Sequence, residues 1–189
     1  METTKTLEQE KSELNTLINK GISFEVADIE FQTKRILGGL LKRRVAITVK
    51  RQFKIEEPTL ATLDRLSAEW IEFAIDESIM KSDDGMVRAR TLVYEHSLRC
   101  AKIVAIAALG SDLLIPKIGK AGVVRYIEDT KRLEELTSLF ARSIKPSKLY
   151  QLYVLINAMC NLGDFLNSIR LMSADRTTMP IRIEENNEG

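Results

Sequence analysis

Between Val45 and Trp70 the chain changes period. Val45, Ile47, Val49, Phe53 and Ile55 are apolar, and Thr48, Lys50, Gln52 and Lys54 between them are polar. This is the alternation of a half-buried strand, and Arg51 is its one break. Pro58 cannot donate to a ladder but sits well in or just before the first turn of a helix, with Thr59 as the candidate cap. Leu60, Leu63, Leu66, Trp70, Ile71, Ala74, Ile75 and Ile79 then follow at threes and fours, predicting an amphipathic helix of about twenty residues. The turn residues of "KSDDG" close it.

Upstream, Ile22, Phe24 and Val26 alternate with Ser23 and Glu25, and the pattern resumes one position out of phase at Ile29 and Phe31. That slip predicts a bulge or turn near Asp28. With residues 32–44 as the connection, the two alternating stretches make an antiparallel hairpin over 21–56. Residues 1–20 hold Leu7, Leu14, Leu17 and Ile18 at approximate helical spacing, which reads as a marginal helix or an arm.

Downstream the period is helical. A second helix is expected from Met86 to Leu109, with Leu92, Val93, Cys100, Ala101, Val104, Ala105 and Ala108 on its buried side and Gly110 and Ser111 as its stop. "SDLLIPKIGKAGVV" reads as a connector with at most one short turn. A third helix spans about Val123 to Ile144, Pro146 marks a break, and a fourth runs from Ser147 to Met172. The polar stretch 173–189 has no period and reads as a tail. The expected fold class is α+β, mostly helical: an N-terminal antiparallel β-hairpin followed by a bundle of about four helices (58–172), within one domain over 21–172.

Composition narrows the function classes. The chain has 28 basic and 27 acidic side chains, so no global field favours nucleic acid or an anionic bilayer, and electrostatic function has to be local. Cys100 and Cys160 sit inside apolar periodic segments without metal-ligand spacing, which fits a reduced, cytoplasmic setting. The polar N-terminus lacks a signal-peptide apolar region, and the longest apolar run, "IVAIAALG", falls far short of the roughly 20 residues that span a bilayer.

Candidate chemistry is sparse. His96 is the only histidine, and Cys100 lies one helical turn beyond it, but a helical Cys beside a helical His is the ordinary signature of packing. "SDDG" lacks the further oxygen ligands of a calcium loop, and Glu134 and Glu135 stand among Lys131 and Arg132 on a solvated face. "ILGGLL" and "GKAG" have neither dinucleotide nor phosphate-loop spacing. No catalytic residue, cofactor or metal ligand is therefore expected, and the chain reads as a non-enzyme.

One segment stands out. "TKRILGGLLKRR", residues 33–44, places Lys34, Arg35, Lys42, Arg43 and Arg44 around Ile36, Leu37, Leu40 and Leu41 with no acid between them. It reads either as a solvated connection whose leucines fold back or as a basic-apolar loop that docks on a partner protein. Leu37, Leu40, Leu41, Arg43 and Arg44 are the candidate partner contacts. A membrane surface ranks lower, and nucleic acid lower still, because the loop has no aromatic residue for stacking. Tyr150, Tyr153 and Phe165 are surplus apolar positions on the fourth helix, with core packing as their default role.

The strand pair ending in "FKIEEPTLATLDRLSAEW", followed only by helices and a polar tail, resembles the tail assembly chaperones of long-tailed bacteriophages and prophages. Pro58, Thr59 and Leu60 match that family's Pro-Thr-Leu-like entry to the first helix, and the resemblance covers about Val45 to Ile79. The "ILGGLLKRR" insertion departs from the pattern. The resemblance implies a non-enzymatic protein of the bacterial host cytoplasm that binds the tape-measure protein and leaves as tail-tube subunits polymerise. Such work needs exposed apolar surface complementary to amphipathic helices. The competing expectation is a mobile-element adaptor or regulator using the basic loop on nucleic acid or a membrane surface, or a self-assembling structural protein. A homo-oligomer stays open.

Overall fold

The computed structural model describes residues 20–36, 41–73, 85–119 and 122–174, together with Ser12 and Thr16. Ser12, Thr16 and Lys20 are helical; the rest of the expected N-terminal helix, residues 74–84 with the expected end of the first long helix and most of "KSDDG", and residues 175–189 of the polar tail lie outside the described residues, whereas Gly85 opens a helix and Ser173 and Ala174 end one. The chain folds as a mostly helical α+β protein. A long hairpin of β1 (Ile22–Ile36) and β2 (Leu41–Ile55) leads into α1 (Leu60–Phe73) and α2 (Gly85–Leu109). After a 3-10 turn (Gly110–Leu113) come a short hairpin of β3 (Leu114–Ile118) and β4 (Val124–Glu128), then α3 (Thr130–Ser143), α4 (Pro146–Met159) and α5 (Leu162–Ala174).

The β1–β2 register is unbroken from Ile22 opposite Ile55 to Ile36 opposite Leu41, so the expected bulge near Asp28 is absent. The phase slip has another cause. Phe24 and Val26 point inward and are buried, the next inward position belongs to the Asp28 carboxylate, and Ile29 and Phe31 lie on the outer face at 47% and 70% exposure. The apolar residues change face while the ladder continues. The expected connection over 32–44 is correspondingly shorter, because strand pairing extends to Ile36 and resumes at Leu41.

Gly21 enters this ribbon at φ 70°, and a Cβ there would come within 2.8 Å of the Ile55 carbonyl oxygen, so the position requires glycine. Thr59 caps α1 as expected: its hydroxyl accepts from the Thr62 amide at 3.3 Å. The helix buries Leu63 and Leu66 but leaves Leu60 and Ile71 exposed. Thr62 is buried instead, its hydroxyl donating to the Gly110 carbonyl at 2.8 Å and tying the start of α1 to the end of α2.

Three further boundaries differ from expectation. The connector after α2 is the β3–β4 hairpin, paired from Leu114 opposite Glu128 to Ile118 opposite Val124. The third helix consequently begins at Thr130 rather than Val123, where the Asp129 carboxylate accepts from the Arg132 amide at 3.1 Å. The fourth helix is two helices. Asn161 sits at φ 45° and ends α4, and its carbonyl and side chain bond to Asp164, restarting the chain as α5.

The core forms around the second half of α2, where every residue from Ala101 to Leu109 except Lys102 and Ala108 is buried. Val93, expected on the buried side, is 67% exposed, and most described side chains in the first half of this helix are exposed with it. Leu136 and Phe140 of α3, and Leu152 and Ile156 of α4, complete the interior. Phe24 and Phe53 meet Phe140 at centroid distances of 5.7 and 4.9 Å, the latter edge-on, which seats the ribbon base on α3. Arg142 and Ser143 fasten the same joint from outside the core, bonding to Asp28 at 2.7 Å and to the Ala27 carbonyl at 3.1 Å.

Candidate partner-binding surfaces

The sequence-derived contact residues fall at the distal end of the β1–β2 ribbon. Arg43 and Arg44 are exposed in β2, Leu41 opens that strand opposite Ile36, and Leu37 and Leu40 lie outside the described residues. The basic segment is therefore largely ladder rather than loop. At about 3.4 Å per residue its 15-residue strands run roughly 50 Å. Every described side chain from Ile29 to Lys34 is exposed, so this end of the ribbon stands clear of the helices.

A second surface is apolar. Trp70 at the end of α1, Cys100 and Ile103 of α2, and Leu149, Tyr150 and Tyr153 of α4 enclose an open groove of ≈ 290 Å³. Cys100, Pro146 and Leu149 also border a separate space of ≈ 260 Å³ that reaches Ala141 of α3. Tyr150 and Tyr153 are 71% and 50% exposed, which takes them out of the core-packing role. The Trp70 indole Nε1 has no hydrogen-bond partner among the described residues. Sequence reasoning placed Trp70 on the buried stripe. No local sequence signal separates Trp70 from a core residue, because its spacing fits the buried stripe.

Helix α5 presents a third surface, also apolar in part. Every described side chain from Leu162 to Ser173 is exposed, including Phe165, Leu166, Ile169, Leu171 and Met172. A helix of 13 residues has little stability by itself, so such a face is held by packing when it is held at all.

The titratable groups point to structure. Burial pushes the Cys100 thiol up and that of Cys160 up to about 11, the opposite of what a nucleophilic thiolate requires. The hydrogen bond from Arg51 at 3.0 Å, then the Ile29 amide and the charges of Arg51 and Arg142, hold Asp28 below the usual carboxylate value against the push of burial. Asp28 and both arginines border a polar hollow between ribbon and α3, and the one carboxylate is paired with both guanidinium groups. Among the described residues, no group of three His, Cys, Asp or Glu side chains could hold a metal ion. No described helix is long and apolar enough to cross a membrane.

Comparison of the chain with protein-family models, with curated proteins and with solved structures finds no match in any of the three.

Proposed function

We propose that the chain is a non-enzymatic assembly chaperone of a phage or prophage tail, working in the host cytoplasm and holding amphipathic helical segments of the tape-measure protein until tail-tube subunits polymerise. The observation that carries this reading is the open groove between α1, α2 and α4, lined by Trp70, Leu149, Tyr150 and Tyr153. Its walls are helices and its lining is apolar, which suits the apolar face of a client helix. Exposed tyrosines with a tryptophan are the side chains that dominate protein contacts. The resemblance over Val45 to Ile79 supplies the class of client, and Trp70 lies within it.

Trp70 is the only tryptophan, so the groove reports on itself. Affinity capture from phage-producing cells should retain a very long, helix-rich tail protein. Peptides from that protein should shift Trp70 emission, and a Tyr150→Asp/Tyr153→Asp variant should lose both responses. Retention of the same proteins by the double variant, or capture without any such client, would end this reading.

A second reading, a self-assembling structural protein, draws on the exposed face of α5. Light scattering of the purified chain separates the two: Leu166→Asp/Ile169→Asp abolishes association if α5 joins copies, and leaves a chaperone monomer unchanged.

A further inference from the structure

The charges at the distal end of the ribbon are arranged in a way that folding does not explain. The register sets Lys34 opposite Arg43, Arg35 opposite Lys42, and Arg44 opposite Thr33. Directly opposed residues share a face of the ladder, and like charges there are destabilising. Toward the base the pattern is reversed: Lys50 meets Glu25 at 3.5 Å and Arg51 meets Asp28 at 3.0 Å. Among the described residues Lys34, Arg43 and Arg44 take part in no ion pair, and no acid occurs from Phe31 to Ala46 to supply one. The ribbon neutralises its cations where it meets the body and concentrates uncompensated ones where it leaves it.

These cations also occupy both faces. Lys34 and Arg43 belong to the face that carries Phe24 and Phe53 at the base, Arg44 belongs to the other, and the register positions of Arg35 and Lys42 alternate with the first pair. A bilayer or a flat acidic protein surface offers charge to one side of a ribbon. A partner with anionic walls on two sides satisfies both. The major groove of B-form DNA, about 12 Å wide between phosphate ridges, admits a two-stranded ribbon, whereas that of A-form RNA is deep and narrow. Contact with phosphates needs no stacking aromatic, so the lack of one, which weighs against single-stranded nucleic acid, does not weigh against a duplex.

We infer that the distal ribbon is a DNA-binding finger that enters the major groove of a duplex, with Lys34, Arg43 and Arg44 contacting backbone phosphates on both walls. The contact is independent of sequence and separate from the helical groove, so it stands or falls apart from the chaperone reading.

The test is fluorescence anisotropy of the full chain with a labelled duplex of about two helical turns, across a salt series. With these three phosphate contacts, log Kd should change with log salt at a slope of about 3. Arg43→Gln/Arg44→Gln should weaken binding about tenfold or more and reduce the slope by about 2. Lys34→Gln, on the other strand, should reduce it by about 1, so the outcome does not depend on one variant folding well. Absence of duplex binding at low salt, or an unchanged slope in both variants, would refute the finger. Equally tight binding to polyglutamate or to anionic vesicles at matched salt would refute it in favour of an acidic protein or a bilayer surface.

Discussion

The two ends of the β1–β2 ribbon share one uninterrupted ladder and almost nothing else. At the base, Phe24, Val26 and Ile55 are buried, Phe53 packs edge-on to Phe140, and Asp28 is bonded by Arg51 and Arg142. At the far end, cations face cations and every described side chain of β1 beyond Asp28 is exposed. A two-stranded ribbon is marginal in water without a packed face, so the base supplies the stability and the distal half borrows it through the backbone. Stability and binding should accordingly separate along the ribbon, and substitutions at its two ends should have different signs as well as different sizes.

The largest effect is expected from Phe140→Ala. Phe140 is fully buried and touches both ribbon phenylalanines, and truncating a buried phenylalanine costs about 3–5 kcal/mol in transfer and cavity terms together. Urea denaturation measures it. Hydrogen exchange should show the ribbon amides losing protection with the global unfolding, since their anchor is gone. A loss below about 1 kcal/mol would mean that the base is not what holds the ribbon.

Much of the base was legible in the sequence, because Phe24, Val26, Phe53 and Ile55 alternate with polar residues and alternation is a local property. The helical hairpin entry at Pro58 and Thr59 was legible for the same reason, since a cap is decided within four residues. What escaped depends on distant partners. Asp28 looked like a phase slip because the reason for an inward carboxylate is Arg142, more than a hundred residues away along the chain. The β3–β4 hairpin looked like a connector because its strands are five residues each and mostly exposed, which gives too few alternations to register. The break at Asn161 was hidden inside an apolar run whose period continues on both sides. The groove was invisible because Trp70, Tyr150 and Tyr153 have the spacing of core residues, and only the relative placement of α1 and α4 brings the half-buried Trp70 beside two exposed tyrosines.

The middle-sized effect sharpens the joint between base and body. Asp28→Asn removes a carboxylate bonded to two guanidinium groups at 3.0 and 2.7 Å and only 16% exposed, which should cost about 1–2 kcal/mol at neutral pH. The pH dependence has a definite sign. The folded-state value lies below the ordinary 3.8, so the contribution is present above that value and is lost as pH falls through the folded one. Wild-type and variant stabilities should thus converge in acid and differ by the full amount near neutrality. A gap that persists at the lowest pH would assign the role of Asp28 to packing rather than to charge.

The smallest stability change is the most telling, because it should run opposite to the binding change. Arg43→Glu replaces a like-charge pair with Lys34 by an attractive one at a directly opposed position of the ladder. Cross-strand pairs of this kind are worth roughly 0.2–1 kcal/mol, so the variant should be slightly more stable than the parent, and the gain should shrink as salt is raised. Duplex binding should fall at the same time, since a phosphate contact becomes a repulsion. Thermal denaturation and anisotropy on the same preparation read both quantities. A variant that is less stable than the parent would show that the distal cations are not in mutual repulsion, which would remove the reason to assign them an external anion. A gain in stability with a loss of binding means that the ribbon's far end carries a charge pattern set by what it touches rather than by how it folds.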